Sequence, residues 1–270
     1  MHIKESVLRP LDWAFPSSPI NREVIARLPE TSDSRPPLLF VHGAMHGAWC
    51  WDEHWMPAAA ARGWPCYALS LRGHAGSDGG AGRHRWTLRD YVHDVMQVIA
   101  TLPRPPVLIG HSMGGLVVQR VLELYPARAG VLLASLSPFG GLNMAHHMFK
   151  RHPADVVLGL VGRSVPPRHD YLYSEAMGPE RSARLRARLT STSALNQYEI
   201  LLPRRPLPSK APVIVLGGGQ DGFVPVDDVY ATARWYKAPV EIFSGMGHML
   251  QLEPNWREPL DAMLAGLDAL

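Results

Sequence analysis

Residues 106–118 read PVLIGHSMGGLVV, so a G-x-S-x-G motif stands between two apolar runs. The first run, 106–109, has the length and composition of a buried strand, and a helix is predicted over 116–125. Small residues at both ends of the pentapeptide let strand and helix approach closely, so that the serine between them can adopt a strained backbone conformation. We therefore predict that Ser112 is a nucleophile, presented on a sharp turn from strand to helix.

Short apolar runs and helical periods alternate along most of the chain. Further strands are predicted at 23–28, 37–41, 66–71, 131–134, 212–216 and 240–243. One predicted helix begins after Thr87, which suits an N-cap, and is stopped by Pro103. Because strands separated by helices pair in parallel through right-handed crossovers, the predicted fold class is α/β, a mostly parallel central sheet with helices on both faces. Function is then expected at the carboxyl ends of the strands.

The alternation breaks down over 139–207, where no buried strand is evident, and we interpret this segment as a helical cap inserted over the strand ends. Residues 23–138 and 208–270 then form the core. A chain of 270 residues with 46% hydrophobic content can bury one large core, so a single α/β unit is expected. Residues 1–22, with three prolines around Trp13, are predicted to form an irregular N-terminal arm.

Composition excludes several classes of partner. The formal net charge is +3 and basic residues are spread along the chain, whereas a nucleic-acid binder concentrates its charge. The start of the chain lacks the apolar core of a secretion signal, and no stretch has the length that spans a bilayer. We expect a cytoplasmic protein with no nucleic-acid and no membrane partner, and its oligomeric state stays open. Cys50 and Cys66 are too few for a disulfide scaffold and lack the spacing of a metal site.

A serine hydroxyl is a weak nucleophile near neutral pH, so it needs a base within hydrogen-bond reach and a third group that orients the base. His248 follows the last predicted strand through the flexible loop 244–247 and is the predicted base. Asp221 follows the preceding strand in the same way and is the predicted acid. The chain order Ser, Asp, His is the one that accompanies a strand-turn-helix nucleophile.

Other carboxylates fit the role of the acid less well. Asp227 and Asp228 are interpreted as caps of the helix that follows them. The strand after the serine leads into 135–138, which contains no carboxylate. Asp221 is therefore preferred.

Two backbone N–H groups are predicted to stabilise the negative charge that develops on a substrate carbonyl oxygen. Met113 supplies one, directly after the nucleophile at a helix N-terminus. The loop 42–49, which reads HGAMHGAW, leaves the strand at 37–41 and supplies the other, from Ala44. His42 and Gly43 support this loop, and Gly43 lets its backbone come close to the nucleophile, so a side chain at position 43 should clash.

With these elements in this order, the sequence resembles the serine α/β-hydrolase superfamily. Residues 41–51, VHGAMHGAWCW, are similar to the H-G-x-x-H-G-x-W opening of the plant methylesterase and hydroxynitrile lyase group. Residues 248–252, HMLQL, are similar to the segment around the catalytic histidine in the same group. The resemblance implies the α/β-hydrolase fold with an inserted cap. It also implies triad roles for Ser112, Asp221 and His248 and oxyanion roles for Ala44 and Met113.

This sequence differs from the lyases of that group at two positions that matter for lyase chemistry. The lyases carry a lysine directly after the catalytic histidine and a threonine after the first histidine of the loop, where this chain has Met249 and Gly43. Epoxide hydrolases and haloalkane dehalogenases use an aspartate nucleophile, in place of Ser112. The expected function is hydrolysis of a carboxylic ester of a small or medium apolar substrate through an acyl-enzyme on Ser112, with no metal and no cofactor.

Some alternatives stay open at this point. The same triad serves carbon–carbon bond hydrolases, thioesterases and acyltransferases, and a ligand receptor with slow turnover can be built on the same fold. In the cap, several apolar side chains suit either an apolar pocket or a core: Phe139, Met144, Met148, Phe149, Tyr171 and Met177. Arg181, Arg184 and Arg188 suit either a solvated helix face or a contact with an anionic substrate.

Overall fold

A seven-stranded sheet lies at the centre of the computed structural model, which describes residues 20–30 and 34–270. The predicted arm therefore lies almost entirely outside the described residues. The strands are β1 Val24–Arg27, β2 Leu38–Val41, β3 Cys66–Leu69, β4 Val107–His111, β5 Ala129–Leu133, β6 Val213–Gly218 and β7 Val240–Phe243. Their order is β1-β3-β2-β4-β5-β6-β7, with β1 antiparallel to β3 and every other pair parallel.

The central strands have the burial of a sheet covered on both faces. Every residue of β2, β4, β5 and β6 is buried, as their continuous apolar runs predict. Most of β7 is exposed or half-buried, because this strand is at the edge of the sheet. The prediction of a mostly parallel α/β sheet is confirmed.

Eleven α-helices connect and cover the strands within the described residues. They are α1 Trp49–Asp52, α2 Trp55–Ala60, α3 Leu88–Ile99, α4 Met113–Leu122, α5 Leu142–Arg151, α6 Pro153–Leu160, α7 His169–Leu172, α8 Pro179–Arg186, α9 Ala194–Leu201, α10 Val226–Tyr236 and α11 Arg257–Asp268. Gly80–Arg85 and Leu250–Leu252 form 3₁₀ turns. Over the same residues, each helix is too short or too polar to cross a lipid bilayer.

One predicted helix start agrees with the structure, and two others differ from it. Thr87 caps α3 as predicted, in a capping box with Asp90. Helix α4 begins at Met113, three residues before the predicted start, so it follows Ser112 directly. Asp227 and Asp228 lie in the first turn of α10, whose N-cap is Pro225, so the interpretation of these aspartates as caps was wrong.

Five helices, α5 to α9, lie between β5 and β6 and contain the segment predicted as the cap. Several hydrogen bonds attach them to the rest of the chain, including the following three. Thr190 N–H donates to Met45 O at 2.9 Å, and the Ser193 hydroxyl donates to Trp86 O at 2.6 Å. The third joins the first N–H of α3, at Leu88, to the carboxylate of Glu199. The division of the chain into arm, core and cap stays a prediction.

Candidate active site

Ser112 occupies a strained turn between β4 and α4. Its φ of 55° and ψ of −121° lie outside the regions that a residue with a side chain normally adopts. Hydrogen bonds on both sides hold it there: Ser112 N–H donates to Leu133 O at 3.1 Å, and Ser112 O accepts from Leu136 N–H at 3.2 Å. The neighbouring strand β5 and its exit thus fix the serine backbone.

The glycine at the end of the motif is required by a close approach of two backbones. A Cβ atom added at Gly114 would overlap the carbonyl oxygens of Val41 and His42. Helix α4 therefore passes directly against the loop that leaves β2. This contact brings the loop with Ala44 next to Ser112.

His248 and Asp221 form a buried pair beside this turn. His248 Nδ1 lies 2.7 Å from Asp221 Oδ2. The other carboxylate oxygen, Oδ1, accepts the N–H groups of Phe223 and Val224, each at 2.8 Å. Because the carboxylate is held by three donors, it fixes the imidazole with Nδ1–H donated to it and Nε2 left as the basic atom.

Ser112 and His248 line the same cavity. In the part of the chain that the structure describes, no hydrogen bond joins the Ser112 hydroxyl to His248. In sites without substrate this bond is often long or poorly aligned and tightens when the reacting complex forms. The structure thus brings the three predicted triad residues to one site, with the Asp221–His248 bond already formed.

The predicted N–H donors, Ala44 and Met113, lie on the wall of this cavity. Neither backbone N–H group donates a hydrogen bond to another described residue. Met113 is the first residue of α4, where helix geometry leaves the N–H free and the helix dipole adds partial positive charge. Both groups are therefore available to an oxygen atom that is bound beside Ser112.

His42 supports the loop as a neutral side chain. Its Nε2 accepts the N–H of Leu71 at 2.9 Å, so the proton is on Nδ1, which donates to Gly43 O at 2.7 Å. Complete burial lowers the pKa of His42 well below its usual value. A Cβ atom added at Gly43 would lie 2.7 Å from His111 Nδ1 and 3.0 Å from Ser112 Cβ, which is the clash that the sequence predicts.

Two further histidines contribute to the site, although the sequence analysis assigned them no role. His111 Nε2–H donates to the carbonyl oxygen of His248 at 2.9 Å, and their ring centroids are 4.6 Å apart. His46 Nδ1–H donates to Ala44 O at 2.8 Å, and burial lowers its pKa to about 4. Two sequence signals could have identified them: His46 is the second histidine of the H-G-x-x-H-G loop, and His111 directly precedes Ser112.

The cavity has a volume of about 140 Å³ and a mostly apolar wall. Of the six cap residues considered for a pocket, Met144 and Met148 line it. Phe139 and Phe149 are instead exposed, and Tyr171 and Met177 are buried elsewhere. The other large apolar side chains on the wall are Met45, Leu136, Val156, Leu160, Val165, Leu172, Ile200, Leu201 and Phe223, and the polar residues Thr192 and Gln197 also lie there.

None of the three cap arginines considered for an anionic substrate lines this cavity. Arg181 donates to His54 Nε2 at 2.8 Å. Arg188 stacks over Trp49 at 3.9 Å and pairs with a glutamate, and Arg184 is exposed. Their positions favour a structural and solvating role.

The described residues contain no group of side chains that could bind a metal ion. Within 20–30 and 34–270, no three His, Cys, Asp or Glu side chains are placed to hold a metal ion together.

The curated proteins with similar sequences include a synthase and a methylesterase. Norfluorocurarine synthase 2 from Strychnos sp. is 33% identical over 108 residues, which are 37% of this chain and 38% of that protein. Methylesterase 3 from Arabidopsis thaliana is 32% identical over 96 residues, 35% of this chain and 36% of that protein. The chain thus matches little more than a third of the length of these curated relatives.

The solved structures show the fold over a longer range. A thermophilic esterase from Thermogutta terrifontis superposes with a TM-score of 0.73 at 20% identity, covering 94% of this chain and 96% of that chain. A model of the alpha/beta hydrolase family matches residues 38–262, which include every predicted site residue. The predicted superfamily is confirmed: the chain belongs to the alpha/beta hydrolase family.

Proposed function

We propose that this protein is a serine hydrolase that cleaves a carboxylic ester through an acyl-enzyme on Ser112. One observation carries the proposal: His248 is bonded to Asp221 at 2.7 Å and faces the same cavity as a serine held in a strained turn. A base that is oriented by a carboxylate, next to a hydroxyl group at the wall of a cavity, is the arrangement that nucleophilic catalysis requires. The esterase activity named for two of the similar proteins supports the choice of substrate.

In the first half-reaction the Ser112 oxygen attacks the carbonyl carbon of the ester, and His248 Nε2 takes the hydroxyl proton. The carbonyl electron pair moves onto its oxygen, where the N–H groups of Ala44 and Met113 stabilise the charge by about 3 kcal/mol each. The bond to the alcohol oxygen then breaks, and His248 returns the proton to the leaving alcohol.

In the second half-reaction a water molecule attacks the acyl carbon while His248 takes its proton. The Ser112 oxygen leaves with that proton, and the carboxylic acid is released. Asp221 stays ionised throughout and stabilises the imidazolium that forms twice in each cycle. Its two N–H donors, from Phe223 and Val224, keep the carboxylate in position.

The cavity supports a small or medium apolar substrate. Its volume of about 140 Å³ is close to that of an engineered cavity of about 150 Å³ that binds benzene. Met144 and Met148 on the wall can adjust to substrates of different shape. After the base, Met249 is apolar and fully buried, so it offers no cation to a cyanide leaving group, which supports ester hydrolysis over lyase chemistry.

The test is release of p-nitrophenol from p-nitrophenyl esters of increasing acyl length. We expect fast turnover of short esters and a loss of roughly 10⁴-fold or more in Ser112→Ala. The matched control, Ser137→Ala, replaces a neighbouring buried serine and retains activity. A fluorophosphonate should label Ser112 alone. Normal turnover by Ser112→Ala would refute the proposal, and preferential acyl transfer to an added alcohol would favour an acyltransferase.

A further inference from the structure

The exposed apolar side chains of this protein are concentrated on the cap. Among the described residues, sixteen large apolar side chains are exposed, and ten of them lie in 139–207, about a quarter of the chain. Single exposed apolar residues are common on any protein, whereas a contiguous group marks an interaction surface. Eight of these ten side chains lie on or directly after three helices of this segment, α5, α6 and α9.

Helices α6 and α9 present apolar stripes that adjoin each other. Val157, Leu160 and Val161 follow helical spacing and are between 54% and 64% exposed. On α9 and its C-cap, the exposed Leu195, Tyr198 and Leu202 follow helical spacing as well. The Tyr198 hydroxyl donates to Leu160 O at 3.0 Å, so the two stripes are neighbours.

Helix α5 extends the same surface. Leu142 and Phe149 are seven residues apart, on one side of the helix, and both are more than half exposed. The start of α5 contacts the end of α9, since a Cβ atom added at Gly140 would overlap Leu202 O and one added at Gly141 would lie 2.8 Å from Ile200 O. We call the resulting surface the cap face, and define it by Leu142, Phe149, Val157, Leu160, Val161, Leu195, Tyr198 and Leu202.

The cap face adjoins the cavity of the candidate active site. Leu160 belongs to both, because it lines the cavity and is 57% exposed. Ile200 and Leu201, on α9 beside Tyr198, also line the cavity. An apolar molecule that partitions onto the cap face is thereby brought close to the site of Ser112.

Charge indicates what covers this surface. Residues 139–207 have a formal charge of +5. In 142–163 and 194–202, the segments that form the cap face, every exposed charged side chain is basic, whereas Asp155 is buried and Glu199 is half-buried. Exposed Lys150 and Arg151 follow Phe149, and exposed Arg163 follows Val161. A second copy placed face to face would bring like charges together, whereas anionic lipid headgroups would neutralise them.

We propose that the cap face docks on the surface of an anionic lipid bilayer. The apolar side chains of α5, α6 and α9 enter the boundary between headgroups and acyl chains, and Lys150, Arg151 and Arg163 contact lipid phosphates. The sequence analysis expects no membrane partner because no segment spans a bilayer, but surface docking needs no such segment. The docking does not depend on the proposed ester hydrolysis.

The test is cosedimentation of the full chain with vesicles of phosphatidylcholine, alone or mixed with phosphatidylglycerol. We expect binding to the mixed vesicles, weakened by added salt. The double variant Val157→Ser/Val161→Ser should bind roughly tenfold more weakly. Its matched control, Val24→Ser/Val240→Ser, removes exposed valines from β1 and β7 and should bind like wild type. Lys150→Gln/Arg151→Gln should lose affinity for the mixed vesicles.

Ser112→Ala should bind vesicles normally, so failure of the docking and failure of the hydrolase proposal are distinguishable. Each variant is first shown to unfold at the wild-type temperature. The docking is overturned if wild type ignores the mixed vesicles, if it binds neutral vesicles equally well, or if both double valine variants lose binding equally. A dimer in solution that Val157→Ser/Val161→Ser dissociates would assign the cap face to a second copy instead.

Discussion

Nε2 of His111 donates a 2.9 Å hydrogen bond to the carbonyl oxygen of His248, across 137 residues of sequence. His111 is the last residue of β4 and directly precedes Ser112. The bond therefore ties the strand that presents Ser112 to the loop that presents His248. Burial lowers the pKa of His111 well below its usual value, so the ring stays neutral with its single proton on Nε2.

His111→Phe should lower kcat roughly tenfold to a hundredfold and leave KM nearly unchanged. The phenyl ring keeps the packing against His248 but removes the donor, and an unsatisfied buried carbonyl costs about 1–3 kcal/mol. His111→Gln, which restores an N–H donor, should recover part of the rate. Steady-state kinetics with a short p-nitrophenyl ester measure both. An unchanged kcat in His111→Phe would show that the bond does not position the base.

Asp221→Asn should lower kcat by about four orders of magnitude, the effect of the same change in a serine protease triad. The amide oxygen can still accept the N–H groups of Phe223 and Val224, but the amide NH₂ cannot accept the proton of His248 Nδ1. The imidazole is then held in the wrong tautomer.

The control for this variant is Asp228→Asn. Asp228 is a nearby buried carboxylate that accepts from Asn143 rather than from His248. Kinetics of both variants are compared with thermal unfolding. A larger loss of activity in Asp228→Asn than in Asp221→Asn would contradict the assignment of the acid.

Gly43→Ala should impair both stability and activity, whereas Ala44→Gly should have little effect on turnover. At position 43 a methyl group would be 2.7 Å from His111 Nδ1 and 3.0 Å from Ser112 Cβ, so the loop or the nucleophile must move. Overpacking of this kind costs about 1–3 kcal/mol. At position 44 the proposed role uses only the backbone N–H, which glycine retains. Urea unfolding and kcat/KM are measured for both variants. Wild-type stability and activity in Gly43→Ala would contradict the close contact of Gly43 with His111 and Ser112.

The sequence predicted which strand-end residues gather at the site better than it predicted the wall of the cavity, for a physical reason. In a parallel sheet, residues that follow different strands meet at one edge, so Ser112, Asp221 and His248 were recognisable from local pattern alone. The cavity wall depends on how α5 to α9 pack against one another, and their short amphipathic segments carry no signal for that packing. The sequence analysis therefore did not distinguish Met144 and Met148, which line the cavity, from Phe149, which is exposed.

The contributions of His46 and His111 were missed for another reason. Each depends on which ring nitrogen carries the proton, and this is set by carbonyl oxygens that the fold places nearby. A sequence shows the histidine but shows neither its partner nor its burial.

Three buried histidines should make the protein lose stability as the pH falls below about 6.5, the pKa of an unfolded histidine. Burial lowers the pKa of His42, His46 and His111, so between pH 6.5 and their native values the unfolded chain binds more protons than the folded one. Their contribution to stability is complete above pH 6.5 and declines below it, with a slope of at most about 1.4 kcal/mol per pH unit for each histidine.

His46→Gln isolates one of these contributions. The glutamine side chain can still donate to Ala44 O but does not titrate, and the native pKa of His46 is about 4. Half-buried Glu199 and buried Asp228, whose pKa values are raised by burial, oppose the trend in both proteins, so their effect cancels in the comparison. Urea unfolding at several pH values between about 7 and 5 should show a shallower loss of stability in His46→Gln, by up to about 1.4 kcal/mol per unit. Equal slopes would mean that His46 takes up a proton in the folded protein as readily as in the unfolded chain.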